Sequence, residues 1–233
     1  DLELKGQKII VTAGAGGIGL EIARAFVREG AHVVVCDVDR DALKALASSD
    51  PALKAHYCDV ADREQVATFF DTAIKHLSGL DCLVNNAGIA GPTGRVEAIN
   101  PEDWERCIAV CLTSQFNCAR LAVPHLRKSA NPRFVYLTTS VATSPRAWWG
   151  AYAASKAAAE VLVDCYAQEV RNITPIRVAI VDPGATRTTM RAKAYPGEDP
   201  MRNKEPSVVA DRIVALLGEE FASPHRERVN QPS

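Results

Sequence analysis

The sequence predicts a single-domain α/β protein built on a doubly wound parallel sheet, and three observations predict it. Strand-like and helix-like segments alternate along the chain, the order that yields a parallel sheet covered on both faces by helices. A glycine-rich turn joins the first strand to the first helix. The chain has 233 residues, 47% of them hydrophobic, enough to bury one sizeable core, and no Gly/Ser-rich or Pro-rich linker divides it.

The elements follow in order. An apolar strand over 8–12 leads into the turn Ala13-Gly14-Ala15-Gly16-Gly17-Ile18-Gly19 and an amphipathic helix over 18–29 stopped by Gly30. A valine-rich strand over 32–36 ends in Asp37, and a helix over 40–48 and a strand over 54–58 come next. A helix over 62–77 precedes a strand over 81–85, and a long helix over 101–128 precedes a strand over 133–138. A second long helix over 151–171 leads to a strand over 176–181, and a last helix covers 206–219. The segment 186–206, rich in charge and proline and long enough to cover a ligand, reads as a mobile lid.

Two places carry chemistry. Glycines at the first turn let backbone approach a pyrophosphate, whose charge the N–H groups and dipole of the following helix attract. Asp37, ending the second strand, can accept hydrogen bonds from a ribose diol and repel a 2′-phosphate. The other place is Tyr152-Ala153-Ala154-Ser155-Lys156. Residues four apart on a helix share a face, so the Lys156 ammonium can lie beside the Tyr152 phenol and bring it down from its ordinary value near pH ~10.

These motifs, in this order, resemble the short-chain dehydrogenase/reductase family over nearly the whole chain. Thr12 to Gly19 resembles its Thr-Gly-x-x-x-Gly-x-Gly loop, Asp59-Val60 and Asn85-Asn86-Ala87-Gly88 follow the third and fourth strands, and Ser140 follows the fifth. Tyr152 and Lys156 open the next long helix, and Pro183-Gly184 with Thr188 follows the sixth strand. The segment Ala185-Thr186-Arg187-Thr188 with Tyr195-Pro196-Gly197-Glu198-Asp199-Pro200 looks most like a bacterial subgroup whose substrates are largely unassigned.

The resemblance implies a Rossmann-like oxidoreductase that moves a hydride between NAD(H) and a secondary alcohol or ketone. Tyr152 would be the general acid or base, Ser140 would polarise the substrate oxygen, and Lys156 would tune Tyr152 and bind the nicotinamide ribose. Thr138 and Thr139 are rivals for the Ser140 role, since all three lie at the strand end. The cofactor would be held by Ala13, Gly14, Gly17, Ile18 and Gly19 at the loop, Asp37 at the ribose, and Asp59 and Val60 at the adenine. Asn86, Ala87 and Gly88, and then Pro183, Gly184, Thr186 and Thr188 near the carboxamide, would complete its site. NAD is expected over NADP because of Asp37 and the absence of a basic residue at Gly16, although Arg40 could reach a 2′-phosphate.

Three departures from the family stand out. Ala13 replaces the loop's first glycine, at little cost if its φ is negative. Cys111 stands where the family has the Asn of its proton relay, and cysteine is a poorer hydrogen-bond partner. It motivates an alternative, a dinucleotide-binding redox sensor or interaction module with little turnover. Finally, the ending Val229-Asn230-Gln231-Pro232-Ser233 lacks the family's Asp-Gly-Gly, so a seventh strand is expected to be short or missing.

For the substrate, Arg187, Arg191 and Lys193 could meet an anionic group or simply be solvated, and Arg146, Trp148 and Trp149 would wall the pocket around a flat or apolar part unless a Trp packs elsewhere. A net charge of −1 gives no basis for nucleic-acid binding. No apolar run approaches the ~20 residues that span a membrane, and no signal peptide precedes the first strand, so a cytoplasmic protein is expected. The numbering begins at Asp1 rather than Met, as in a chain trimmed at its start. Seven cysteines without a Cys-x-x-Cys pair and five scattered histidines suggest neither a disulfide framework nor a metal site. Cys107 and Cys111, four apart, read as small core residues rather than a redox pair. The family implies a homodimer or homotetramer through the helices at 101–128 and 151–171.

Overall fold

The computed structural model describes residues 3–230; the outer ends of the expected 1–233 domain, including Gln231-Pro232-Ser233, lie outside the described residues. The strands are β1 (Lys8–Thr12), β2 (His32–Asp37), β3 (Lys54–Tyr57), β4 (Cys82–Asn85), β5 (Arg133–Leu137), β6 (Arg177–Asp182) and β7 (His225–Arg228). They form one sheet in the order β3-β2-β1-β4-β5-β6-β7, and every pairing is parallel. The order reverses between β1 and β4, which opens a crevice at the carboxyl ends of those strands.

Side chains that alternate along each strand feed two cores. Ile9, Val11, Val33 and Val35 face one layer, with Ile22 and Phe26 of helix α1 (Gly17–Arg28), Leu46 of α2 (Arg40–Ser49) and Ile213 and Leu216 of a helix over Pro206–Leu217. Ile10, Val34, Leu83, Phe134 and Ile180 face the other, with Phe69 and Phe70 of α3 (Arg63–Leu77) and with the two long helical stretches. All seven cysteines are free, and only Cys165 is exposed.

The helix expected over 101–128 forms as one helical stretch, but it is not α-helical throughout. It runs as α4 (Pro101–Ile108), one π-helical turn over Ala109–Thr113, and α5 (Ser114–Leu126). The turn is centred on Cys111, where its wider winding presses Cys107 and Cys111 against Ala151 at the start of α6 (Gly150–Val170). The stretch Pro101–Leu126 has 26 residues and a mean hydropathy of 1.2 in its most apolar window, more apolar than the sequence reading allowed. In the fold Cys107, Cys118, Ala122 and Leu126 are buried, as in a core helix.

The seventh strand exists and is short. β7 pairs with β6 in the register Ala179↔His225 to Asp182↔Arg228. Side chains hold it: Arg226 bonds Glu160 (3.0 Å) and Asp164, and Arg212 grips Glu227 through two nitrogens (2.6 and 2.9 Å). The strand was illegible because it reads His-Arg-Glu-Arg, charges whose partners lie far along the chain.

Glu160 joins this edge to the centre. It is 6% exposed; one oxygen accepts from the Thr138 hydroxyl and the other from Arg226. Glu160→Ala leaves the Thr138 hydroxyl without this partner, while half-exposed Arg226 keeps Asp164, so the loss sits below that of a fully buried pair, about 2–3 kcal/mol. Urea unfolding of the variant measures it, and a loss under about 0.5 kcal/mol would show that Glu160 is dispensable.

Candidate active site

The glycine loop is shaped by contact. A Cβ on Gly14 would stand 2.6 Å from the Val35 side chain, and one on Gly19 would stand 2.2 Å from the Ala13 carbonyl oxygen, so neither position admits a side chain. Gly16 caps α1 in an extended conformation without a side-chain cap bond, which leaves the first N–H groups of the helix directed at the crevice. Ala13 corrects the expectation of a negative φ: it sits at +51°, in the left-handed region. Its methyl therefore carries a strain that the family's glycine avoids.

Asp37 braces the same loop, accepting from Ala15 N–H (3.1 Å), Val38 N–H (2.8 Å) and Asp39 N–H (3.1 Å). Across the crevice, the Thr12 hydroxyl accepts from the N–H groups of Asn86 and Ala87, both at 3.0 Å. Asn86 returns its side-chain amide to the carbonyls of Thr12 (3.2 Å) and Ala13 (3.3 Å).

A cleft of about 560 Å³ follows from these elements. Of the residues expected there, Ala13, Gly17, Ile18, Asp37, Asn86 and Gly88 line it from the loop side, and Tyr152, Lys156, Pro183 and Thr188 line the opposite end. Gly184 and Thr186 line an adjoining pocket of about 260 Å³. Gly14 and Gly19 shape the loop without lining the cleft, and Val60 and Ala87 are core residues. Asp59 is drawn off by Arg106 at 2.9 Å. Sequence reasoning missed Ala15, Gly16, Asp39 and Met190 in the cleft, and Asp182 and Arg228 in the pocket; Asp39 alone had a signal, an acid two residues past Asp37.

Tyr152 and Lys156 meet in this region, but with different partners than the sequence suggests. Lys156 donates to the Leu137 carbonyl at 2.9 Å, and burial pulls its ammonium below the ordinary lysine value, against the charges of Cys111 and Glu160. Burial pushes the Tyr152 phenol up, the charge of Cys111 adds to the rise, and a hydrogen bond with Thr139 works against it. The phenol thus holds its proton through neutral pH instead of being brought down.

The three hydroxyls after β5 point three ways. Thr138 gives its proton to Glu160, the Thr139 hydroxyl acts on the Tyr152 phenol, and the Ser140 hydroxyl stands 3.5 Å from the Arg146 guanidinium. Ser140 lines the pocket as expected, and so does its rival Thr139, whose hydroxyl acts on the Tyr152 phenol.

Cys111 occupies its position with two bonds to one residue: it accepts from Ile89 N–H (3.4 Å) and donates to Ile89 C=O (3.2 Å). Its neighbour Cys107, the charge of Lys156 and the Ile89 N–H hold its thiol below the ordinary cysteine value against burial, while Cys107 is pushed up. Gly88 closes the gap, since a Cβ there would stand 3.5 Å from Lys156 Nζ and 3.8 Å from Cys111 Sγ.

The lid over 186–206 is a braced flap. It contains a short helix, Thr189–Ala194, and a bridge between Thr186 and Lys204. Arg191 grips Glu198 through two nitrogens at 2.7 Å, Asn203 joins the same carboxylate at 2.8 Å, and Arg187 pairs with Glu205. Arg187 and Arg191 are therefore committed to acids of their own flap. Tyr195 stacks on Trp149 (5.9 Å, 22°), and Arg146 and Trp149 wall the pocket, whereas Trp148 is turned outward and 56% exposed.

This fold and this pairing of a dinucleotide-type crevice with a Tyr-x-x-x-Lys helix define a class of α/β oxidoreductases. A family profile described as short chain dehydrogenase matches residues 7–199, and the chain belongs to that family. It is 32% identical over 227 residues to the uncharacterized oxidoreductase YciK of Escherichia coli K12, covering 93% of this chain and 88% of that one. Among solved structures, a short chain dehydrogenase from Pseudomonas syringae superposes with a TM-score of 0.90 at 30% identity, over 98% of this chain and 96% of the other. Another from Shigella flexneri, complexed with NADP, superposes with a TM-score of 0.88 at 29% identity, over 96% of this chain and 98% of the other.

Relieving the strain at Ala13 should be measurable. A left-handed L-residue costs about 1–2 kcal/mol, and the freer unfolded chain of a glycine takes back about 0.4–1 kcal/mol. Ala13→Gly should therefore raise Tm by about 2–3 °C in a thermal melt; an unchanged or lower Tm would show that the methyl's packing outweighs its strain.

Proposed function

We propose that this protein binds a nicotinamide dinucleotide, NAD in preference to NADP, and interconverts a secondary alcohol and a ketone. The observation that carries the reading is that Tyr152 lines both the glycine-loop cleft and the pocket beside it, with Lys156 on the cleft side and Thr139 and Ser140 on the pocket side.

The residues fit the cofactor. The open backbone at Gly16 and Gly17 and the uncapped start of α1 would take the pyrophosphate, Asp37 the ribose diol, and Lys156 the nicotinamide ribose. When bound, the dinucleotide supplies or accepts the hydride. The chain's own work is the proton: Tyr152, kept protonated at neutral pH, gives it to the oxygen of a ketone undergoing reduction. Thr139, which lines the pocket with Tyr152 and acts on its phenol, would stabilise that oxygen as charge builds on it, with Ser140 beside it.

Two carboxylates, Asp37 and Asp39, line the end of the cleft after β2, and both repel a 2′-phosphate. Of the cations that could offset them, Arg40 is stacked over the Tyr57 ring at 3.8 Å, and Lys193 lines the cleft from the flap. These features support NAD, although the Shigella flexneri protein was complexed with NADP. The alternative of a binding module with little turnover has Cys111 in its favour. Against it, Cys111 keeps both bonds to Ile89, so the loop beside the reacting groups stays braced.

Tyr152→Phe should lower kcat/KM for ketone reduction by about 10²–10⁴-fold while NADH binding persists. Turnover that survives the substitution would end the proposed proton role, and a native protein that binds NADH but reduces no ketone would favour the binding module. In the same assay Asp37→Ser should move the NAD-to-NADP ratio of kcat/KM toward NADP by about tenfold or more; an unmoved ratio would remove Asp37 from cofactor choice.

Cys111 sets a pH dependence. Alcohol oxidation needs the phenolate, and as the pH rises Cys111 gives up the proton it donates to Ile89 C=O and its charge then disfavours that phenolate, so Cys111→Ser should shift the alkaline midpoint of the oxidation profile to lower pH. A midpoint that stays or rises would mean that the Cys111 charge does not act on Tyr152.

A further inference from the structure

The pocket beside Tyr152 has three arginines in its wall, and two are already neutralised. Arg191 is held by Glu198, and Arg228 stands 3.7 Å from Asp182. Arg146 has no carboxylate within ion-pair distance among the described residues. Its two terminal nitrogens face hydroxyls at 3.5 Å, one the Ser140 Oγ and the other the Tyr195 Oη. These bonds are long, so the guanidinium fork is only loosely used. A planar group with two acceptor oxygens would satisfy it far better, and both hydroxyls could turn their protons to the same group.

We infer that Arg146, Ser140 and Tyr195 form a carboxylate receptor, and that the substrate is a small oxo acid or the matching hydroxy acid. This rests on the oxidoreductase reading above and deepens it. Ser140, in the receptor, is next in the chain to Thr139, and both line the pocket with Tyr152, so the carboxylate and the reacting oxygen of the substrate are separated by only a few bonds. The volume of about 260 Å³ suits a small molecule, and Met190 and Trp149 offer its remaining carbons an apolar wall. In reduction the carbonyl carbon takes the hydride of the dihydronicotinamide, the oxygen takes the Tyr152 proton, and the carboxylate leaves unchanged. Arg146 is exposed and belongs to no core cluster, so its replacement leaves the fold intact.

The test pairs 2- and 3-oxo acids with their methyl esters, alongside neutral and phosphorylated ketones, in NADH oxidation by the native protein, Arg146→Ala and Arg146→Lys. The native protein should prefer the acid to its ester by about 10–150-fold in kcat/KM, the range for a charge-assisted hydrogen bond. Arg146→Ala should bring that ratio close to one, and Arg146→Lys, lacking the fork, should restore only part of it. Esters and neutral ketones reduced as well as acids by the native protein would overturn the receptor and leave the oxidoreductase reading standing, as would a ratio that Arg146→Ala does not move. Phosphorylated ketones preferred over oxo acids would overturn the carboxylate. If no carbonyl compound turns over, calorimetric titration of the oxo acid into the NADH-saturated protein decides: binding that Arg146→Ala abolishes keeps the receptor and ends the oxidoreductase reading, and no binding ends both.

Discussion

One hydroxyl holds the crevice together. At the switch point the chain leaves β1 toward one face of the sheet and β4 toward the other, so two adjacent strand ends diverge with backbone groups the ladder no longer pairs. Thr12 Oγ1 accepts from two consecutive N–H groups of the β4 loop, and Asn86 answers with its amide on the carbonyls of Thr12 and Ala13. Buried N–H groups without partners are costly, so this exchange keeps both loops in register. Everything else depends on it: the path of the glycine turn, the position of Gly88 against Lys156 and Cys111, and the shape of the cleft between them.

The neighbourhood of Tyr152 is controlled by burial more than by its lysine. Lys156 spends its proton on a strand-end carbonyl, and Cys111, tied to Ile89 by both its donor and its acceptor, sets an easily ionised thiol in the middle of the site. The thiol thus fits the place of an amide by matching its donor and its acceptor on one backbone residue. What it changes is the electrostatics around the Tyr152 phenol.

The sheet, both cores and the placement of the glycine loop, Asp37, Tyr152 and Lys156 were legible in the sequence, because they depend on local spacing and on strand alternation. The π-turn was not, since apolar periodicity passes smoothly through Ala109–Thr113 and only the packing of Cys107 and Cys111 on Ala151 widens it. Nor was the sign of φ at Ala13, which the crowded turn imposes. The choice among Thr138, Thr139 and Ser140 depends on which way consecutive residues face once β5 ends, and only Glu160, Tyr152 and Arg146 reveal it. The flap arginines looked free because their partners, Glu198 and Glu205, lie further along the same segment, and only the folded flap brings them together.

The flap spans the two hollows. Thr188 and Met190 belong to the walls of both, as do Ile18 and Pro183 from below, so the hollows share a partition and are not independent rooms. On the proposed reading, the dinucleotide then forms part of the floor on which the smaller molecule rests. Entry becomes sequential, with the large partner first in and last out, and the protein's affinity for its substrate is a property of a binary complex rather than of the chain alone.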